Sequence, residues 1–349
     1  MWVFAQERVP TTQISFKAQY GMGLNSSSNR LYGGQIRLIK DISQSEQDWA
    51  RILQAKRVSY GLSWHNLDGL KERINGVDYP GGMAFAASTE VDFQLLKLGK
   101  LKLFATPGIG LAYLSETIFT QPATKTIGSH MNLMLTGELG LEYPLSSRTA
   151  ISAGSGIQHF SNTGISIPNG GWNSIVGNIA VKTGLPGVDL HGDRIKENPH
   201  LQRNNIEVWL GMGARGKYRT KDKKFLRTGM YAGYNYYLNP ALSLKMGSHL
   251  VYYHTVYDPR SEGDTFQYYG SSFDRVRWGL ATGVDVSMNR LVFNLMYGKY
   301  LHYNSAHHIQ WYWVTGLRYY LSPNIGFQFT INLHRAQSDY ANWGLIFRL

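Results

Sequence analysis

Within the stretch GIQHFSNTGISIPNGGWNSI, residues 156–175, a histidine and a serine stand two apart, His159 and Ser161. Residues two apart in an extended strand point to the same face. A serine beside an imidazole is the smallest arrangement that activates an alcohol, because the ring nitrogen can take the hydroxyl proton as the oxygen attacks. The strand's own pattern says which face this is. Ile151, Ala153, Ile157, His159 and Ser161 share one phase, and Ser152, Gly154, Gly156 and Gln158 share the other. The pair therefore lies on the apolar face. In the next segment Asn173 is in phase with Ile175, Ile179 and Val181, so a third polar group reaches the same kind of face at the facing end of its strand. A His-x-Ser pair alone is usually structural, but three polar groups converging on an apolar face need a reason.

The elements that position them follow one rule along the chain. Ile14, Phe16, Ala18, Tyr20, Met22 and Leu24 alternate with Ser15, Lys17, Gln19, Gly21 and Gly23. Val276, Trp278, Leu280, Val284 and Val286 alternate with Arg275, Arg277, Gly279, Gly283 and Asp285. Ile325, Phe327, Phe329, Ile331 and Leu333 do the same near the end, where Trp343, Leu345, Phe347 and Leu349 share one apolar phase. Period two means strands with one greasy and one wet face. Soluble sandwich strands average about 5 to 6 residues, whereas these runs are longer. Strands of roughly 10 residues or more, apolar toward lipid and polar toward a lumen, are the pattern of an outer-membrane barrel. The fold class is thus all-β, an antiparallel transmembrane β-barrel.

Sixteen strands are expected, near 13–25, 33–41, 55–66, 83–97, 100–114, 129–144, 148–160, 172–184, 203–215, 225–238, 241–255, 272–287, 289–303, 308–321, 324–334 and 341–349. With the N-terminus periplasmic, tight turns at Leu98-Gly99, Leu145-Ser146-Ser147, Asn239-Pro240, Met288 and Ser322-Pro323 fall at one end. The longer connections 67–82, 115–128, 161–171, 216–224 and 256–271 fall at the other, as short periplasmic turns and long external loops would. Two connections, 42–54 and 185–202, are long for periplasmic turns, which keeps 14 strands open. The expected organisation is a tail over 1–12, an eight-strand half over 13–184 carrying the site, a connection over 185–202, and further strands over 203–349 that complete a single barrel, with a second small barrel as the alternative.

Bulk properties exclude several classes. No segment approaches the roughly 20 apolar residues of a membrane helix. Cysteine is absent, which removes disulfides, thiolate nucleophiles and cysteine metal sites and leaves the redox compartment unread. In MWVFAQE, Val3 and Ala5 occupy the −3 and −1 positions of a signal-peptidase site, so the reading is an exported chain with a clipped signal. The net charge of +12 points to an anionic partner, and lipid phosphate fits better than nucleic acid because the basic residues form no single stripe.

His159-Phe-Ser161-Asn162-x-Gly164, followed by Pro168-Asn169-x-Gly171, resembles the motif of the PagL family, lipid A deacylases of Gram-negative outer membranes whose longer members are called acyloxyacyl hydrolases. GIGLAYL (108–114), SHMNLMLTGELGLEYPLS (129–146) and TAISAGSGIQ (149–158) resemble it too, and the resemblance covers about residues 10–184. It implies an eight-stranded barrel whose outward serine, histidine and glutamate hydrolyse an ester-linked acyl chain of lipid A in the outer membrane. From the residues, no cofactor is expected and no metal is assigned. On this resemblance Ser161 is the nucleophile and His159 the general base. Asn169, with a backbone amide near Gly164, holds the oxyanion, and Asn162 orders the loop. One position departs: where the family's glutamate is expected, fourteen residues after the histidine, stands Asn173. Glu138 and Glu142 are in the lumen phase and do not replace it. An asparagine can orient an imidazole, but it cannot stabilise an imidazolium by charge.

Gly211-Met-Gly213-Ala-Arg-Gly216 matches a dinucleotide glycine pattern but sits in an alternating strand without a βαβ context, and reads as barrel glycines. The basic loop GKYRTKDKKFLRTG offers Lys217, Arg219, Lys221, Lys223 and Lys224 either as a solvated surface or as a clasp for lipid phosphates. His307-His308 makes no metal site by itself. The alternative to an esterase is a catalytically degenerate barrel, serving as scaffold among protein partners in an outer-membrane assembly, or a pore lined by groups such as Arg275, Arg277 and Asp285.

Overall fold

A strand that is apolar on one face and polar on the other can cross hydrocarbon only in a closed ring, where every backbone N–H and C=O is paired and no edge is left. The computed structural model describes residues 12–24, 29–185, 203–221, 223–255, 274–304, 310–335 and 337–349. In them the strands close twice.

The first ring holds β1 (Thr12–Gly23), β2 (Arg30–Asp41), β3 (Ala55–Asn66), β6 (Met83–Leu98), β7 (Leu101–Leu114), β8 (Met131–Pro144), β9 (Thr149–Ser161) and β10 (Trp172–Gly184). It closes in the order β1-β10-β9-β8-β7-β6-β3-β2. A hairpin of β4 (Lys71–Ile74) and β5 (Val77–Pro80) stands in the connection after β3, and a short helix α1 (Asp48–Ile52) lies in the 42–54 connection. The second ring is β11 (Asn204–Gly216), β12 (Lys224–Asn239), β13 (Leu242–Tyr253), β14 (Val276–Met288), β15 (Leu291–His302), β16 (Trp311–Tyr320), β17 (Ile325–His334) and β18 (Gln337–Arg348), paired in chain order and closed by β11 on β18. By contacts, residues 47–49 and 162–169 group with this second unit and the rest of the first half with the first.

The sixteen strands thus appear, but the single wide barrel does not. β1 pairs with β10 from Gln13↔Gly184 to Gly23↔Ser174, and β11 pairs with β18 from Glu207↔Arg348 to Ala214↔Ala341. The reason lies in the lumens. Eight strands enclose a space just wide enough for side chains to fill, and here charges meet across it. In the first barrel Lys17 pairs with Glu138 at 2.8 Å, Arg37 with Glu90 at 2.7 Å, and Arg57 and Lys182 with Glu142 at 2.7 and 2.6 Å. In the second, Glu207 takes Lys245 and Arg318 at 2.6 Å each, Asp285 takes the same two at 3.1 Å, and Asp339 takes Arg277 at 2.8 Å. Each of these charges is paired, as burial in low dielectric demands.

The outer faces carry the opposite set. Phe16, Tyr20, Ile36, Leu62 and Ile179 are exposed on the first barrel, and Leu210, Met246, Leu280, Phe327 and Trp343 on the second. Exposed apolar bands around charge-filled interiors are the inverse of a soluble protein, and they identify both rings as transmembrane β-barrels. Among the described residues no helix is long and apolar enough to cross a membrane. The tail to residue 11, the connection 186–202 and His307-His308 lie outside the described residues.

Candidate active site

β9 and β10 are antiparallel neighbours, and their register sets His159 directly opposite Asn173 and Ile157 opposite Ile175. Directly opposed residues bring their Cβ atoms to about 4.5–5.5 Å, close enough for an imidazole to touch an amide. His159 Nδ1 is 2.7 Å from Asn173 Oδ1, and Nε2 is 2.7 Å from Ser161 Oγ. An acceptor at Nδ1 requires the ring to carry its proton there, so a neutral imidazole turns its Nε2 lone pair to the serine hydroxyl. That is the tautomer a general base needs. All three side chains are half-buried although they lie on the outward face. Around them the face is apolar: Ile157 is 62% exposed, Met131 58% and Ile175 42%. Leu135 lies opposite His159, and Leu133 opposite Ser161, on β8.

Among the described residues no carboxylate forms an ion pair with His159. Glu138 and Glu142 are in the lumen, bound to Lys17 and to Arg57 and Lys182. The amide of Asn173 therefore orients the ring without offering charge to an imidazolium.

The loop after Ser161 is held from within. Asn162 is buried; its Oδ1 accepts from Gly164 N at 3.0 Å and its Nδ2 donates to Ser166 O at 3.1 Å. Asn169 Oδ1 accepts from Asn162 N at 3.2 Å, which fixes the plane of the amide carrying the donor Nδ2. The amide of Gly164 itself is taken up by Asn162. Gly171 has φ +74°, and a Cβ there would sit 2.8 Å from His159 Cε1, so the imidazole packs against a position that cannot bear a side chain. The spacing Pro-Asn-x-Gly quoted above contains this glycine, but only the fold shows what it touches.

Lys217, Arg219, Lys221, Lys223 and Lys224 form the β11–β12 turn and the start of β12. Lys221, Lys223 and Lys224 are exposed, Lys217 and Arg219 half-buried, and Lys217 N donates to Lys223 O at 2.9 Å. Gly211, Gly213 and Gly216 are strand residues of β11. Arg277 and Asp285 face the lumen, whereas Arg275 precedes β14, is exposed, and donates to Tyr252 Oη at 3.2 Å. It is therefore no part of a lumen lining. Among the described residues no three His, Asp or Glu side chains gather to hold a metal.

A family profile described as "Lipid A 3-O-deacylase (PagL)" matches residues 41–182, and one described as "Acyloxyacyl hydrolase, C-terminal domain" matches residues 204–349. The second match covers the half in which sequence reasoning found no resemblance. Among solved structures, one titled "Crystal structure of the outer membrane enzyme PagL" is 20% identical, covering 49% of this chain and 99% of that one at a TM-score of 0.32. The Neisserial surface protein A structure is 10% identical over 50% of this chain and 96% of its own, also at 0.32. A search of curated proteins finds no match.

Proposed function

The chain belongs to the PagL family and is an integral outer-membrane β-barrel protein, and from that premise we propose that it hydrolyses an ester-linked acyl chain of lipid A at Ser161. The observation that carries this reading is one imidazole bridging Ser161 and Asn173 at 2.7 Å on each side, on the outward apolar face. An acyl chain lying in the bilayer reaches that face without leaving hydrocarbon.

In this reading His159 Nε2 takes the hydroxyl proton as Ser161 Oγ attacks the ester carbonyl. The tetrahedral intermediate collapses to acyl-Ser161, and the imidazolium protonates the departing alkoxide. Water then repeats the sequence and frees the fatty acid and the serine. The Nδ2 of Asn169 is the donor assigned to the oxyanion. The exposed lysines of the β11–β12 turn are assigned to lipid phosphates, as point charges.

The amide at 173 favours a second reading, a catalytically silent barrel retained as a scaffold. In a serine triad an acid-to-amide change costs about four orders of magnitude because it selects the wrong tautomer; here Oδ1 faces Nδ1, which selects the right one. A pore is disfavoured, since the described lumens are filled by paired side chains.

Mass spectrometry of lipid A after incubation with the purified full chain in detergent tests the proposal. Loss of one acyl chain with the parent and none with Ser161→Ala supports it. No loss with the parent, but loss with Asn173→Glu, supports the silent barrel. Equal loss with parent and Ser161→Ala overturns the assignment of the nucleophile.

A further inference from the structure

His159 is held by its two hydrogen bonds in the plane of the ring, but a ring also needs a wall. On one side that wall is Gly171, whose missing Cβ leaves the close approach to His159 Cε1. Gly171 is fixed in turn by another loop: its N–H donates to Thr126 O at 2.8 Å, and Gly170 N–H donates to Lys125 O at 3.1 Å. Residues 125 and 126 belong to the connection between β7 and β8, and both are tied to a single acid. Glu72 Oε2 accepts from Lys125 N at 2.9 Å and from Thr126 Oγ1. Glu72 sits on β4, in the small hairpin of the first long loop, which is also joined to the second by Gln121 Nε2 donating to Pro80 O at 3.1 Å.

We propose that Glu72 is a positioning residue for His159, acting through Lys125 and Thr126 on the Gly170–Gly171 backbone that walls the imidazole. The proposal rests on the deacylase reading for its kinetic consequence, but not for its geometry. A hydrogen-bonded carboxylate receiving one backbone and one hydroxyl donor holds a turn in place, and that turn presents its carbonyls to the glycines. Three consecutive external loops are thereby pinned in series, and the last pins the base. No lipid contact is assigned to Glu72; its effect is geometric. Small displacements of a catalytic group are costly, about 10²-fold for a 1 Å misplacement.

The test uses the full chain with ¹⁵N-labelled histidine in detergent, its His159 signals assigned by loss in His159→Gln. Glu72→Ala is expected to shift or broaden the His159 ring nitrogens and to lower kcat for lipid A deacylation by about 10- to 100-fold, with KM within about twofold. Glu72→Gln keeps an acceptor oxygen and should restore most of both. Should Glu72→Ala fail to fold, Thr126→Val removes one of the two bonds and is expected to shift the same signals less. Unchanged His159 signals in Glu72→Ala and Thr126→Val overturn the inference. So does a Glu72→Gln variant as slow as Glu72→Ala with His159 undisturbed, since that would make charge the operative property. If the parent itself does not deacylate, the esterase reading fails while the His159 signals still decide this one.

Discussion

Each barrel carries a histidine hydrogen-bonded to a hydroxyl on its outer side. In the first, His159 Nε2 meets Ser161 Oγ at 2.7 Å; in the second, His254 Nε2 meets Thr228 Oγ1 at 2.9 Å. The two contacts are nearly the same length, and the barrels around them are alike inside, each a ring of eight strands closed over buried ion pairs. The difference lies in what surrounds the imidazole. His159 is half-buried, its other nitrogen meets Asn173, and Gly171 walls its ring. His254 is exposed and packs its ring edge-on against Tyr252 at 5.2 Å, and among the described residues its Nδ1 meets no hydrogen-bond partner. A pair becomes a candidate nucleophile and base when something else fixes the tautomer and the orientation, which is the triad logic in its general form.

The strongest way to break this comparison is to remove the first hydroxyl. Ser161→Ala is expected to lower kcat for lipid A deacylation by about 10⁴-fold or more, as loss of a nucleophile does elsewhere, with the detergent-extracted protein still migrating as a folded, heat-modifiable barrel. Mass spectrometry of lipid A reads the loss. Retained activity would remove the first pair from the chemistry altogether.

Next in size is the third member. Asn173→Glu supplies the charge that the amide lacks and is expected to raise kcat by about 10²-fold, less than the four orders of magnitude seen when an acid is lost, because Oδ1 already selects the tautomer. Asn173→Leu, which removes the acceptor, should lower kcat by a similar factor. A Glu variant no faster than the parent would mean that the imidazolium is stabilised by something other than this neighbour.

The likeness of the interiors can be tested separately. Lys245 is buried between Glu207 and Asp285 in the second barrel; removing it leaves two buried carboxylates to share the guanidinium of Arg318, and leaving buried charge under-compensated costs up to about 3 to 5 kcal/mol. Lys245→Met is expected to lower the denaturant midpoint of the second barrel in detergent. A midpoint unchanged from the parent would show that this network does not hold the barrel closed.

Much of this was legible before any fold was known. Phase alone put His159, Ser161 and Asn173 on the outward face and Glu138 and Glu142 in the lumen, because the side-chain period of a strand is two and a slip would invert every face. Closure was not legible. The wall pattern is the same whether eight or sixteen strands close, and what decides is which lumen charges meet, as Lys17 meets Glu138 across 121 residues of chain. The β4–β5 hairpin was overlooked because KERINGVDYP is too short for a spanning strand, although its Asn75-Gly76 pair, both residues at positive φ, is a two-residue hairpin signal. Gly171 was quotable as part of a motif, but its contact with the ring depends on a left-handed turn that sequence spacing does not encode.

The smallest effect expected is the most pointed for the comparison. Thr228→Ala removes the hydroxyl of the second pair, and deacylation should stay within about twofold of the parent. A hydroxyl gains nucleophilicity from a base only when the base is held in the right tautomer and partly screened from water, and His254 is neither. If Thr228→Ala instead lowered kcat tenfold while Ser161→Ala did not, the support around His159 would have been mistaken for activation, and the exposed pair would be the reactive one. If both variants were slow, the reaction would need both hydroxyls, and tautomer control at one imidazole would not be enough to explain it.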